Sequence, residues 1–148
     1  MIERDEICGL IPHAGNMCLL DRVTEWDENT IVCESSSHQL QNNPLRTNEG
    51  LPSASLIEYG AQSIAVHGGL IARQHGVKID NGYLAVLRDV SFDRLDVSKI
   101  TNKIVIMAEK LMSQNGSLVY QFQASVDGLC IVQGRATVVE VKSNNAKE

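Results

Sequence analysis

The pattern of apolar positions changes once along the chain, from a helical period in the middle to alternation in the second half. From Ala54 to Gln74 the apolar residues recur at helical spacing, with Pro52 just before this segment and Gly76 just after it. This pattern predicts one long helix. Because the helix is apolar nearly all round and rich in small residues, we expect other elements to enclose it.

The alternation after the helix predicts antiparallel strands joined by tight turns. In Ser117–Val126 apolar side chains occupy every second position, which is typical of a strand with one buried face. Asn115-Gly116 and Asp127-Gly128 stand at its two ends, and both pairs accept the positive φ angles of a type I′ hairpin turn. The predicted strands of this half are Tyr83–Phe92, Lys103–Met112, Ser117–Val126 and Leu129–Val141.

The region before the helix is less regular. Arg4–Leu20 predicts short helical turns broken by Pro12 and Gly15, and a strand is expected around Thr30–Cys33 before a long polar loop. A single apolar helix beside several strands buries its surface when the sheet curls around it. The sequence therefore predicts an α+β hot dog fold, in which an antiparallel sheet wraps around one long central helix.

Length and charge agree with one domain and exclude several classes of function. The chain has 148 residues, enough to bury its own core, and we place the domain at 1–141 with a polar tail at 142–148. A net charge of −5 gives no electrostatic reason to expect nucleic acid or an anionic membrane. The first residues are too polar for a signal peptide and no apolar run approaches transmembrane length, so we expect a cytoplasmic protein.

The four cysteines lack C-x-x-C or metal-ligand spacing, which predicts buried reduced thiols and no metal site.

Two segments of the chain resemble a known family. The stretch IPHAGNMCLLDRVTEWDENTIV resembles the opening of the FabZ/FabA-type 3-hydroxyacyl-acyl-carrier-protein dehydratases, and LPSASLIEYGAQ, residues 51–62, resembles the start of their hot dog helix. The match keeps both motifs in order and continues through the terminal strands. The loop NNPLRTNEGLP lacks the histidine that the family carries before the helix. The retained Pro-His-x-Gly-x-Met-x-Leu-Leu-Asp opening looks like the divergent dehydratases of aryl polyene pathways.

This resemblance implies a site built from the helix and the N-terminal segment. Glu58 falls on the family's catalytic acid, and Gln62 falls on the glutamine that follows it. His13 is inferred to replace the absent loop histidine as the catalytic partner of Glu58. The start of the helix is expected to offer free backbone amides to a thioester carbonyl. The predicted substrate-binding residues are Asn16, Met17, Ser53 and Gln62.

Each candidate residue can also be interpreted as having a structural role and no catalytic one. Ser55-x-x-Glu58 fits a capping box, in which the carboxylate stabilises the start of the helix and has no catalytic role. His13 itself could cap or pack within its Pro-broken turn. His67 is predicted to face away from Glu58 and to pack, whereas His38 in the polar loop is a reserve base. The other residues predicted to have structural roles are Asp21, Arg22, Tyr59 and His75.

The predicted reaction is the dehydration of a 3-hydroxyacyl thioester to the trans-2-enoyl product. It requires a base for the proton next to the carbonyl, an acid for the departing hydroxyl and donors for the enolate-like oxygen, but no cofactor. The resemblance implies a phosphopantetheine-linked substrate on an acyl carrier protein, and a homodimer as the assembly. Two other functions stay open: a hot dog thioesterase whose helix carboxylate activates water, and a non-catalytic acyl-binding subunit.

Overall fold

One long helix lies against a single antiparallel sheet in the computed structural model, which describes residues 1–11, 17–77 and 79–142. The elements in chain order are β1 (Ile2–Glu3), α1 (Arg4–Leu10), β2 (Arg22–Trp26), β3 (Thr30–Ser35), a 3-10 helix (Ser37–Gln39), α2 (Ser55–Gln74), β4 (Ile79–Phe92), β5 (Ile104–Gln114), β6 (Ser117–Val126) and β7 (Leu129–Lys142). The strands are ordered β1-β2-β3-β5-β6-β7-β4, so β4 lies at one edge of the sheet.

The predicted hot dog arrangement of one long helix and a curled antiparallel sheet is confirmed. The helix begins one residue later than predicted, and the bounds of β6 are those expected from its alternation. Both predicted hairpin turns have two successive positive φ angles, as type I′ requires. The angles are 53° and 82° at Asn115 and Gly116, and 50° and 82° at Asp127 and Gly128.

The N-terminal region differs from its prediction. The expected series of helical turns is one regular helix, α1, which already ends at Leu10, and the predicted breaks at Pro12 and Gly15 lie outside the described residues. Strands β1 and β2 were not predicted. They exist because β1 pairs with β2 and β2 pairs with β3, and such pairing is invisible in a two- or five-residue pattern. At the other end, Lys142 closes β7, and residues 143–148 of the predicted tail lie outside the described part of the chain.

The ring of Phe122 fixes how closely α2 approaches the sheet. A Cβ atom built on Gly60 of α2 would lie 2.6 Å from a carbon of this ring, and one built on Gly134 of β7 would lie 3.1 Å from it. The ring therefore fills the space between two positions that have no side chain. Since buried side chains pack at crystal-like density, neither glycine can acquire a methyl group without movement of the ring.

We expect Gly60→Ala to lower the free energy of unfolding by about 1–3 kcal/mol, the usual cost of overpacking a core. The matched control is Gly69→Ala in the same helix, where the nearest atoms to an added Cβ lie 3.5 Å away at ordinary contact distance. The control should be neutral or gain up to about 1 kcal/mol, because alanine has the better helix propensity. Urea unfolding of both variants tests this, and equal stability of the two would contradict the packing argument.

The cysteines depart from the prediction of four reduced thiols. Cys8 of α1 and Cys18 form a disulfide, with Cα atoms 5.9 Å apart and a sequence separation of 10. The prediction was wrong for this pair because the return of the chain alongside α1, and not a spacing motif, brings the two residues together. Cys33 and Cys130 are free. Burial raises the pKa of the Cys33 thiol to about 11, so this thiol stays protonated at neutral pH.

His67 is a packing residue, as predicted. Its side chain is fully buried, with Nδ1 2.6 Å from the Tyr120 hydroxyl and Nε2 2.7 Å from the Asp27 carbonyl oxygen. A carbonyl oxygen only accepts, so Nε2 carries the proton and Nδ1 accepts from Tyr120. Burial lowers the pKa of His67, which keeps the ring neutral in this role.

Candidate active site

Glu58 lies in the first turn of α2 and is half-buried. Its Oε2 atom accepts a hydrogen bond from Gln62 Nε2 at 3.1 Å. The two residues are four positions apart and therefore lie on the same helix face. The sequence spacing predicted this neighbourhood, and the structure brings the two side chains together.

Gln62 joins this helix face to the segment that follows His13 in the chain. Its Nε2 also donates to the Met17 carbonyl oxygen at 2.8 Å, and its Oε1 accepts from the Leu19 amide at 2.9 Å. The side chain is 1% exposed. Because the Leu19 amide can only donate and the Met17 carbonyl can only accept, the orientation of the Gln62 amide is unambiguous. Both amide hydrogens and the oxygen of Gln62 are thus bonded within the protein.

A buried polar chain holds Leu19 from its other side. Ser37 Oγ donates to the Leu19 carbonyl oxygen at 2.8 Å, so its own oxygen accepts from the Tyr59 hydroxyl at 2.7 Å. Asn43 Nδ2 donates to the Tyr59 hydroxyl at 3.0 Å. Tyr59 is fully buried, as predicted, and its hydroxyl is satisfied. Leu19 is therefore fixed at both its amide and its carbonyl.

The start of α2 offers fewer free amides than the sequence predicted. The Ser53 amide donates to the Leu95 carbonyl oxygen at 2.9 Å, and the next amides close tight turns on the residues three positions before them. Those turns join Ser55 to Pro52, Leu56 to Ser53 and Ile57 to Ala54, at 2.9, 2.9 and 3.1 Å. The prediction was wrong for the Ser55 and Leu56 amides because they make 3-10-type hydrogen bonds, which use amides that an α-helical start would leave unpaired, and for the Ser53 amide because it pairs with Leu95.

Two donors remain at this helix start among the described residues. The Ser53 hydroxyl oxygen is buried and has no hydrogen-bond partner there, and the Ala54 amide makes no hydrogen bond to a described residue. An unpartnered buried hydroxyl is uncommon in proteins, because it loses its hydration without compensation. Ser53 and Ala54 therefore present two hydrogen-bond donors next to the turn of α2 that carries Glu58.

The capping-box interpretation of Glu58 is wrong. The residue in the N-cap position is Ala54, which has helical backbone angles, and no side chain caps the helix. Ser55 is already inside the helix, so the Ser55-x-x-Glu58 pattern has the wrong register for a cap. The carboxylate of Glu58 instead bonds to Gln62, toward the segment at Met17.

Of the remaining candidates, the structure describes Met17, His38 and His75. His13 and Asn16 lie outside the described residues, and the Met17 side chain is 39% exposed. His38 is fully buried, with Nε2 3.0 Å from the Ile100 carbonyl oxygen and with Nδ1 unpartnered among the described residues. Burial lowers the pKa of His38. His75 lies just after the last residue of α2, 3.5 Å from a Glu28 carboxylate oxygen.

Asp21 and Arg22 have the predicted structural roles. Asp21 Oδ2 accepts from the Ser36 amide at 2.7 Å, and Arg22 Nη1 lies 3.3 Å from Glu34 Oε1. Both bonds tie the start of β2 to the end of β3.

Within the described residues no group of His, Cys, Asp and Glu side chains is placed to hold a metal ion. None of the described helices has the length and apolar character needed to cross a membrane.

Comparison with known proteins gives a family match that covers nearly the whole chain. A profile of the ApeP-like family, described as ApeP dehydratase, matches residues 5–148. No curated protein matches the sequence significantly. A chain of the dehydratase heterocomplex ApeI:P from Xenorhabdus doucetiae is similar in structure, with a TM-score of 0.81 and 21% identity over 99% of this chain and 94% of that one.

Hot dog thioesterase structures are similar at lower scores. A putative thioesterase from Shewanella oneidensis gives a TM-score of 0.63 with 12% identity, covering 93% of each chain. A hypothetical thioesterase with coenzyme A from Streptococcus pneumoniae gives 0.59 with 14% identity, over 83% of this chain and 87% of that one. At these identities the likeness shows the shared fold and does not distinguish the reactions.

Proposed function

Because this chain belongs to the ApeP-like dehydratase family, we propose that it dehydrates a 3-hydroxyacyl thioester with Glu58 as the acid and His13 as the base. The observation that carries this assignment is the Gln62 side chain, which bonds at once to Glu58 and to the segment that follows His13. A histidine and a carboxylic acid at one site supply both proton transfers of the reaction.

The proposed reaction is an elimination across two neighbouring carbons. His13 removes the proton from the carbon next to the thioester carbonyl, and the electron pair of that bond forms the new double bond. Glu58 gives a proton to the hydroxyl on the next carbon, whose bond to carbon breaks as water leaves. The product is the trans-2-enoyl thioester and no cofactor takes part, because the thioester itself acidifies the carbon that loses its proton.

The position of His13 in the chain supports its assignment. Ile11, two residues before it, is buried in the core, and Met17, four residues after it, is bonded to Gln62. Four residues span at most about 14 Å when fully extended. His13 is therefore tied by a short stretch of chain to the point where Gln62 also holds Glu58.

For the thioester carbonyl we propose the Ser53 hydroxyl and the Ala54 amide as donors. These groups remain unpaired among the described residues, whereas the amides of the following residues are bonded within the 3-10 turn. Donors of this kind stabilise the enolate-like oxygen that develops during proton removal. Asn16 and Met17 are proposed to line the path of the acyl chain.

We expect Gln62→Leu to lower kcat by roughly ten- to a hundredfold with a smaller change in KM, because Glu58 loses its orienting bond. The matched control is Gln123→Leu on β6, which replaces a glutamine whose side chain makes no hydrogen bond to a described residue and should keep the wild-type rate. Steady-state kinetics on one thioester compares the two variants. A Gln62→Leu enzyme whose loss lies in KM alone would contradict the orienting role.

For the assembly we propose a homodimer that joins two copies through β4. This strand has a neighbour on one side only, β7, and its apolar side chains Leu84, Val86 and Leu87 are 46, 42 and 37% exposed. An open edge with exposed apolar residues is a surface for pairing with another strand. Native mass spectrometry of the purified chain tests this. The proposed homodimer would be wrong if the chain is a monomer by itself and associates only with a second hot dog subunit. The assembly would then be a heterocomplex of the kind known for ApeI:P.

The test of the proposed function is mass spectrometry of the protein with a panel of 3-hydroxyacyl carrier-protein thioesters. We expect a product lighter by one water molecule, with the acyl group still attached to the carrier. Release of free carrier thiol without loss of water would identify a thioesterase. Loss of neither water nor acyl group across the panel would leave the chain as an acyl-binding subunit and overturn the proposal.

A further inference from the structure

Two polar loops enclose a groove of about 450 Å³ close to the start of α2. The loop that carries residues 95–101 runs beside that helix start, since the Val97 amide donates to the Leu51 carbonyl oxygen and the Leu95 carbonyl accepts from Ser53. A second depression of about 600 Å³ continues the groove and shares Gln41 and Arg46 with it. The groove is lined on one side by Gln39, Gln41 and Arg46, and on the other by Lys99, Ile100 and Thr101.

The Arg46 side chain is fixed at the groove, and Glu49 is the carboxylate that lines the adjoining depression with it. Its Nε donates to the Leu40 carbonyl oxygen at 3.1 Å, and its Nη2 donates to the His38 carbonyl oxygen at 2.9 Å. Both acceptors are neutral, and Arg46 forms no ion pair with a carboxylate of the described residues. The guanidinium is therefore held in place by the backbone, and no ion pair among the described residues neutralises its charge.

Lys99 brings a second positive charge from the opposite side. It is exposed and forms no ion pair among the described residues, in contrast to Arg22, Arg94 and Lys103, which each contact a carboxylate. The nearest acid, Asp96, is bound to the Ser98 amide at 2.8 Å and to the Ser98 hydroxyl. The hydrogen bond from the Ser98 hydroxyl is the main cause that lowers the pKa of Asp96, and the charge of Lys99 contributes least to this shift.

His38 joins the two sides of the groove. Its backbone carbonyl holds Arg46, and its ring Nε2 donates to the Ile100 carbonyl oxygen at 3.0 Å. Gln39 adds a bond from its Nε2 to the Thr101 carbonyl oxygen. These contacts connect residues some 60 positions apart and keep Arg46 and Lys99 on facing sides of one groove.

We propose that this groove binds the phosphate of the phosphopantetheine arm that carries the substrate, between Arg46 and Lys99. The inference rests on the proposed function, which requires a thioester, and it names the residues that recognise the other end of the arm. A planar guanidinium and an ammonium group are the two side chains that bind phosphate most readily. The same phosphate occurs in an acyl carrier protein and in coenzyme A, so the groove suits either source.

The test compares 3-hydroxyacyl thioesters of pantetheine, of 4′-phosphopantetheine, of coenzyme A and of a carrier protein. Lys99→Gln is the primary variant, because Lys99 makes no hydrogen bond to a described residue and its loss leaves the loops intact. Arg46→Gln is the second variant. The control is Arg135→Gln on β7, which removes an equal charge from an arginine bonded only to Gln121 among the described residues.

We expect Lys99→Gln and Arg46→Gln each to lower kcat/KM for the phosphorylated thioesters by roughly tenfold, mainly through KM, with pantetheine thioesters unaffected. A loss on 4′-phosphopantetheine, coenzyme A and carrier thioesters alike supports the phosphate site. A loss on carrier thioesters alone would mean that Arg46 and Lys99 contact the carrier protein, and it would overturn the phosphate site. An equal loss on pantetheine thioesters, or no loss on any thioester, would overturn the proposal.

Calorimetric binding of free 4′-phosphopantetheine and pantetheine gives a second readout that needs no turnover. Wild-type protein should bind the phosphorylated compound more tightly, and Lys99→Gln should remove that preference. A wild-type protein that dehydrates no thioester but keeps this preference would contradict the proposed reaction and leave the phosphate site supported. Equal binding of the two compounds by the wild type would overturn the site, whatever the enzyme catalyses.

Discussion

Glu58→Gln is expected to lower kcat for enoyl formation by roughly 10²–10⁴-fold while the protein stays folded. Glutamine has nearly the same shape as glutamate, and its amide oxygen still accepts the bond that Gln62 Nε2 gives to Glu58 Oε2. It has no acidic proton to transfer to the departing hydroxyl. The expected loss is therefore in the chemical step and not in the placement of the side chain.

The control for this substitution is Glu109→Gln on β5, which makes the same chemical change at an exposed position in the sheet. It should keep the wild-type rate. Thermal unfolding of both variants checks that neither loses its structure, and single-turnover kinetics on a 3-hydroxyacyl thioester measures the step itself. Wild-type turnover by Glu58→Gln would remove this residue from the reaction.

His13→Ala is expected to reduce kcat by a similar factor of roughly 10²–10⁴, because no base would remain for the proton next to the carbonyl. If His13 and Glu58 act on the same substrate in one elimination, their effects will not multiply. The double variant should then be little slower than the slower single variant. A double loss equal to the product of the single losses would indicate that the two residues act in separate steps.

The matched control for His13 is His75→Ala, which removes an exposed histidine paired with Glu28 just beyond α2. Its rate should equal that of the wild type. Retained turnover in His13→Ala, together with inactivity of Glu58→Gln, would assign the base to another residue. His38, with its buried and unpartnered Nδ1, would then be the next histidine to replace.

Features that depend on local chemistry were predictable from the sequence. The bounds of β6 followed from its alternation, and the type I′ turns followed from Asn115-Gly116 and Asp127-Gly128, because those residues tolerate positive φ angles. Strand β2 was missed because its five residues gain their structure from pairing with β3. A short strand held by its neighbour has no pattern of its own to read.

In the candidate site, too, the local features were predictable from the sequence and the long-range contacts were not. The four-residue spacing of Glu58 and Gln62 predicted that they share a helix face, and their hydrogen bond follows from that spacing. The bonds from Gln62 to Met17 and Leu19 cross more than 40 residues, and no local pattern contains them. The 3-10-type hydrogen bonds at the start of α2 were equally hidden from the sequence. They depend on how the segments at Leu51 and Leu95 position the chain before the helix.

The disulfide between Cys8 and Cys18 has a consequence for His13, the proposed base. His13 stands at the midpoint of the ring that this bond closes, five residues from each cysteine. Either arm of the ring spans at most about 18 Å when extended, and the bond holds the two ends of the ring together. Opening the bond would let Cys8 and Cys18, the two ends of the segment that carries His13, move apart. If His13 is the base, as we propose, the oxidation state of this cysteine pair controls how well the catalytic pair is positioned. We then expect a lower rate in the presence of a dithiol reductant than in its absence.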